Sequence, residues 1–272
     1  MTLDEMKKQD PLYINVETSD IVAAGISLTG HVRSENEDSI WIDDSGLVLA
    51  VADGMGGHER GAEASQTTIK VFKERLNRET IKEEVRDVTA LLGVPPEIGC
   101  LYTIIHRSVD EAANVLYNRN LELMLKRYMG TTIVGLVLVQ DEHVLWFQVG
   151  DSRLYRWRDA TLKCLTNDHS LYAEWVKAGR VGPKPGKNII TRVIGGSPSV
   201  EADIEWDKRQ KDDIYILCSD GLTDMITDEQ IEEILKKGNN VKDTAKQFVD
   251  TALASGGKDN ISVVVCQTFL PA

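Results

Sequence analysis

No Cys-x-x-Cys pair occurs in this chain: its 4 cysteines, Cys100, Cys164, Cys218 and Cys266, are scattered along 272 residues. That spacing excludes a thiolate zinc site and a disulfide framework, and the cysteines read as small buried apolar residues. No apolar run approaches the roughly 20 residues that a membrane-spanning helix needs. The opening Met-Thr-Leu-Asp-Glu-Met-Lys-Lys offers no apolar stretch for a signal peptide. A cytoplasmic location without membrane insertion is therefore expected. A basic surplus is also missing, since 31 Lys and Arg face 43 Asp and Glu, giving a net charge of −12 and a pI near 4.9. Nucleic-acid binding is disfavoured, because it normally shows as clustered excess Lys and Arg.

What the chain does have is apolar content, 42% of its residues, ample for a substantial core. The acidity then has two readings: a solvated surface that aids solubility, or side chains that converge on cations. Neither a low-complexity linker nor a convincing internal repeat interrupts the chain, so one domain over 21–270 after an N-terminal extension over 1–20 is expected, and a monomer.

Strand-like runs lie at Ile21 to Thr29, Ser39 to Asp43, Leu47 to Ala52, Thr131 to Gln140, Val144 to Val149 and Arg153 to Trp157. Further runs follow at Ser199 to Trp206, Asp213 to Cys218 and Ile261 to Phe269, which brings the strand count near nine. Two helical blocks separate them. One runs from about Glu59 to Tyr128 with a break near Gly93, the other from Asp228 to Ser255 with a break at Gly238, and each reads as a helix pair. Strand runs joined by tight turns favour antiparallel meanders over a doubly wound parallel sheet, so the fold class is α+β.

Two of the apolar runs end in Asp-Gly: Leu47 to Ala52 before Asp53-Gly54, and Ile214 to Ser219 before Asp220-Gly221. A hairpin or turn explains either one alone. A buried strand that ends in a carboxylate also carries a charge to the core edge, where a cation or donor must neutralise it. The Gly54 carbonyl is accessible as a further ligand, since glycine permits close backbone approach. An oxygen-only site of this kind suits Mg²⁺ or Mn²⁺ rather than structural zinc.

The company these carboxylates keep is more specific. In order come Gly30 to Asp38 (G-x-x-R-x-x-N-E-D), Asp53 to His58 (D-G-M-G-G-H), Met129 to Thr132 (M-G-T-T), Val149 to Arg153 (V-G-D-S-R), Ser219-Asp220-Gly221 and Asp259-Asn260. Over about Ala24 to Gln267 the chain closely resembles the metal-dependent Ser/Thr protein phosphatase family, also called the protein phosphatase 2C family, in its compact bacterial form. The resemblance implies a central antiparallel β-sandwich flanked by helix pairs. It also implies a Mn²⁺ or Mg²⁺ dependent hydrolase that acts on phosphoserine and phosphothreonine in proteins and opposes a Ser/Thr kinase. In such chemistry two cations about 4 Å apart share a water, lower its pKa and aim it at phosphorus, with no covalent enzyme intermediate.

By the same resemblance Asp53 bridges both ions, the Gly54 carbonyl binds the first, and Asp220 and Asp259 bind the second. Glu37 and Asp38 act mainly through coordinated waters, and Asp151 joins Asp220 at a third, weaker ion. Arg33 clamps phosphate, a task for a guanidinium that makes two parallel charge-assisted bonds. His58 protonates the leaving alkoxide, as suits a group that titrates near neutrality. His31, His106, His143 and His169 have no comparable context.

The stretch from about Tyr172 to Ile194 matches the family's active-site flap, yet it lacks the acidic and histidine-rich character common in bacterial relatives. Its Gly and Pro residues predict an excursion without a strand, and Lys184 and Lys187 are candidates for attracting phosphorylated or acidic segments, or serve solubility alone. Two other functions compete with a protein phosphatase. One is a phosphoprotein-capturing module without turnover, which would show missing ligands, and the other is a hydrolase of small phosphate esters.

Overall fold

The computed structural model describes residues 11–56, 60–85, 94–139 and 143–269. Thirteen strands among them form two large antiparallel sheets and one small ribbon. The first sheet has the order β1 (Leu12–Glu17), β2 (Ile21–Leu28), β13 (Ile261–Thr268), β12 (Ile214–Cys218), β9 (Arg153–Arg158) and β10 (Thr161–Cys164). The second has the order β11 (Asp203–Lys208), β8 (His143–Val149), β7 (Ile133–Val139), β4 (Val48–Ala52) and β3 (Ser39–Ile42). The ribbon joins β5 (Gly54–Met55) to β6 (Gly130–Thr131).

The sheets stack face to face and helices cover both outer faces. Strand periodicity makes this possible, since successive side chains point to opposite faces. Along β4, Val48, Ala50 and Ala52 face the helices α1 (Arg60–Arg75) and α3 (Pro96–Glu122), while Leu49 and Val51 enter the space between the sheets. Along β13, Val264 and Cys266 point between the sheets, and Val263 and Val265 meet α6 (Asp228–Leu235) and α7 (Val241–Ala254). The result is a four-layer α-β-β-α sandwich. The helical layer over the second sheet also holds α2 (Arg78–Val85), so among the described residues the first predicted block has three helices rather than a pair. Gly93, where a break was expected, lies outside the described residues. The second block divides as predicted at 238–240, where Asn240 caps α7 by accepting from Asp243 N.

Four strands escape the sequence reading: β1, β5, β6 and β10. β1 falls inside the segment read as an N-terminal extension, yet it pairs along its whole length with β2, from Leu12 opposite Ser27 to Glu17 opposite Val22. It is an edge strand in which half-buried Ile14 and Val16 alternate with exposed Tyr13, Asn15 and Glu17. β5 and β6 are two residues each, too short for any periodicity. The flap also departs from expectation, for it begins with a helix, α4 (Leu171–Lys177), capped by the Ser170 hydroxyl accepting from Ala173 N. No helix among the described residues is long and apolar enough to cross a membrane.

Candidate active site

Both Asp-Gly dipeptides stand where a buried central strand leaves its sheet. Every residue of β4 is buried, and Asp53 follows it directly. Its backbone is pinned on both sides: Asp53 N donates to Thr132 Oγ1 at 3.0 Å, while Thr132 N and Thr131 Oγ1 donate to the Asp53 carbonyl at 2.9 and 2.8 Å. In the other sheet β12 runs into Ser219, and Asp220 opens the short helix α5 (Asp220–Thr223). Ser219 N donates to Ser262 O at 3.1 Å, and the Ser219 hydroxyl accepts from Ser262 N at 3.1 Å while donating to Asp38 Oδ2 at 2.9 Å.

The glycines are explained by what crowds them. A Cβ on Gly221 would lie 1.8 Å from the Asn260 carbonyl oxygen, so only glycine lets Asp220 come this near to the Asp259-Asn260 turn. A Cβ on Gly54 would lie 2.1 Å from the Gly61 carbonyl oxygen and 2.5 Å from that of Glu37. Glu37 closes the contact, with its Oε1 accepting from Gly61 N at 3.0 Å.

Asn260 is the hub that sequence reasoning passed over, quoting it without assigning a role. Its Oδ1 accepts from Glu37 N at 2.9 Å, and its Nδ2 donates to Thr29 O at 3.1 Å and Glu35 O at 2.8 Å. One amide thus ties the 29–38 loop, which carries Arg33, Glu37 and Asp38, to the turn that carries Asp259. Arg33 Nη2 donates to Asp259 Oδ2 at 2.7 Å across this junction. The Asp-Asn dipeptide was the available signal, but an amide's three partners are a tertiary fact that sequence spacing does not contain.

The electrostatics show how tightly the carboxyls are gathered. Asp38 is pushed up to about 7, by burial first and then by the charges of Asp220 and Asp259 against the help of Ser262 and Ser219. Asp151 is also pushed up to about 7, by burial and then by Asp220 and Asp168. Asp220 is raised to about 6 by burial, Asp259 and Asp224, while a hydrogen bond from Asp53 works the other way. Asp53 stands well above the usual carboxylate range, through burial and the charges of Asp38, Asp220, Asp151 and Asp259. Asp53 and Asp220 thus each raise the cost of a charge near the other, and a cation would neutralise both.

Two further observations bear on a hard cation. Asp38 Oδ1 and Asp151 Oδ1 are buried without a hydrogen-bond partner, a costly state for carboxylate oxygens that an ion would relieve. The donors here are all oxygen, as Mg²⁺ and Mn²⁺ prefer. The residues present therefore fit such ions. They are not clustered as a ready cage, since no three His, Cys, Asp or Glu side chains among the described residues form an ion-sized group. Arg33 on Asp259 and Ser219 on Asp38 hold two of these carboxylates in other partnerships.

Arg33, Glu37, Asp38, Asp53, Gly54, Asp151, Asp220 and Asp259 are thus brought to one end of the sandwich, linked by these contacts and charges. His58 lies outside the described residues. Arg153, within the Gly-Asp-Ser-Arg run, turns away and makes a two-pronged pair with Asp168 at 2.8 and 2.7 Å. His169, given no role from sequence, holds the Asp151 loop: His169 Nδ1 accepts from Gly150 N at 3.1 Å, and His169 N donates to Gly150 O at 2.9 Å. Nothing in the sequence pattern around His169 marks that contact.

Known proteins share the sequence pattern and the fold of this chain. The Protein phosphatase 2C family matches residues 31–256. The chain is 34% identical over 251 residues to the serine/threonine phosphatase stp of Listeria monocytogenes serotype 4b (strain F2365), covering 89% of this chain and 93% of that one. Among solved structures it is similar to the catalytic domain of the serine threonine protein phosphatase PstP in complex with 2 manganese ions, with TM-score 0.76, 30% identity and coverage of 92% and 99%. Stp1 from Staphylococcus aureus gives TM-score 0.76 at 27% identity, with coverage of 96% and 99%.

Proposed function

Because the chain belongs to the protein phosphatase 2C family, we propose that it is a serine/threonine protein phosphatase dependent on Mn²⁺ or Mg²⁺. Its substrates are cytoplasmic phosphoproteins, among them a Ser/Thr kinase and that kinase's own targets. The observation that carries the reading is the buried carboxyl cluster with two partnerless oxygens, on Asp38 and Asp151. When bound, divalent cations supply Lewis acidity toward phosphoryl oxygens and a lowered pKa for coordinated water.

The chain's own residues divide the rest of the work. Asp53, the Gly54 carbonyl, Asp220 and Asp259 would hold the ions, with Asp53 the ligand common to both. Glu37 and Asp38 would contribute at longer range, and Asp151 with Asp220 would serve a third ion. Arg33 orients the phosphate through its planar fork, leaving Asp259 free as it does so. His58 delivers the proton to the leaving serine or threonine oxygen. A cysteine phosphoenzyme is unsupported, since Cys218, the cysteine nearest in sequence to Asp220, is fully buried and its thiol is pushed far up by desolvation.

The reading is tested with purified protein, p-nitrophenyl phosphate and a phosphothreonine peptide. Hydrolysis of both is expected with Mn²⁺ and not with EDTA, and turnover that persists without metal would sink it.

A further inference from the structure

The flap is a basic segment of an acidic protein. Residues 171–192 carry Lys177, Arg180, Lys184, Lys187 and Arg192 against the single acid Glu174, in a chain of net charge −12. Arg192 is neutralised by Asp203, to which its Nη1 donates at 2.7 Å. The other four cations are exposed.

Two of them are gathered rather than scattered. Lys184 Nζ lies 5.5 Å and Lys187 Nζ 5.7 Å from the centre of the Tyr172 ring. A ring attracts one ammonium readily, but a second brings like-charge repulsion that an anion seated between the two would relieve. Among the described residues neither ammonium has a carboxylate in ion-pair contact. The loop is also held in shape: Trp175 Nε1 donates to Gly182 O at 3.1 Å and Arg180 N to Trp175 O at 2.8 Å, with Pro183 and Pro185 stiffening the return. A pre-shaped loop loses less freedom when a ligand docks.

The root of the flap is fastened to the carboxyl cluster on two sides. Thr191 N donates to His169 O at 2.7 Å, and His169 is bonded to Gly150, the neighbour of Asp151. At the other exit Ile194 pairs with Thr131, whose hydroxyl donates to the Asp53 carbonyl. The flap therefore leaves and re-enters the fold beside residues that fix Asp53 and Asp151.

We propose that the flap, through Lys184 and Lys187 on Tyr172 with Lys177 and Arg180 beside them, docks an anionic segment next to the phosphorylated residue of the substrate. This rests on the phosphatase reading above and narrows its substrate class to phosphoproteins with flanking acidic residues or a second phosphate.

The test compares kcat/KM, with Mn²⁺, for three phosphothreonine peptides: one with neutral flanks, one with flanking glutamates and one with a flanking phosphoserine. Wild type should favour the anionic peptides by about tenfold at low salt, falling toward parity near 0.5 M NaCl. The preference should collapse in the Lys184→Gln/Lys187→Gln double variant, and the larger of the two anionic preferences identifies carboxylate or phosphate as the docked group. A glutamate-flanked peptide with plain threonine, followed by fluorescence anisotropy, should bind wild type about tenfold tighter than the variant. That binding difference without any turnover would overturn the phosphatase reading and keep the docking site. Turnover with no preference in wild type, or a preference unchanged in the double variant, overturns the docking site.

Discussion

The Arg33 guanidinium and the Asp259 carboxylate, 226 positions apart in the chain, meet through a 2.7 Å bond from Nη2 to Oδ2. The proposed phosphate clamp and a proposed ion ligand are thus each other's partner, and a substrate phosphate competes for the same guanidinium that restrains Asp259. Arg33→Ala should lower kcat/KM for a phosphothreonine peptide by about a hundredfold, the usual scale for losing one donor to a developing charge. It should also tighten Mn²⁺ binding, because a positive neighbour of the ion site is gone. Steady-state kinetics and a Mn²⁺ titration check the two signs, and weaker Mn²⁺ binding in the variant would contradict the arrangement.

Asp53 lies under the charges of Asp38, Asp220, Asp151 and Asp259 and is buried among them. Asparagine is a permanently neutral group where burial and four neighbouring carboxyls already oppose a charge, so metal-free Asp53→Asn should melt at the same temperature as wild type or higher. Activity with Mn²⁺ should fall below about a hundredth, since even residues that only support a metal ligand cost 10- to 100-fold. Melting curves in EDTA beside rate measurements test both halves. A variant that is markedly less stable without metal would show that the carboxyls are not in conflict.

Protons and cations compete for the same oxygens. With Asp38 and Asp151 pushed up to about 7 and Asp220 to about 6, the metal-free folded protein holds protons that the unfolded chain releases near the ordinary value of 3.8. The contribution of these groups to metal-free stability therefore falls as pH rises from about 4 to 7. Mn²⁺ replaces the protons, so its stabilising effect should be small at about pH 5.5 and grow toward pH 7.5. Thermal shifts at fixed Mn²⁺ across that range check it, and a shift that shrinks with rising pH would have the wrong sign.

Far from the site, Asp213 is completely buried and accepts from Arg158 Nε and Nη2 at 2.6 Å each, from Gln210 N at 2.7 Å and from the Tyr215 hydroxyl at 3.1 Å. Asp213→Ala strands these donors, and breaking a buried pair from one side costs about 3 kcal/mol or more. A urea melt should show that loss, while a variant within about 1 kcal/mol of wild type would mean that water satisfies the donors.

The central strands were legible because they are buried on both faces: β4, β12 and β13 read as short unbroken apolar runs, and their Asp or Asp-Asn ends were visible as motifs. The ordered motifs placed Arg33, Asp38, Asp53, Asp151, Asp220 and Asp259 in one family pattern, and the fold gathers them. What stayed hidden is tertiary. Thr131 and Thr132 fixing Asp53, Asn260 joining two loops, and His169 holding Gly150 depend on partners from 19 to 231 positions away. Edge strand β1 alternates, with half-buried Ile14 and Val16 between exposed Tyr13, Asn15 and Glu17, but it is short and only half-buried and was passed over within the expected extension. Helix α4 was missed because the Gly and Pro residues that follow it dominated the reading of the flap.

The central claim is that the carboxyl cluster holds hard divalent ions, and calorimetric titration of the metal-free protein with Mn²⁺ tests it most directly. Wild type should take up about two ions per chain with release of protons at neutral pH, and Asp53→Asn should lose that uptake. Wild-type protein that binds no Mn²⁺, or a variant that binds it as well as wild type does, would contradict the account.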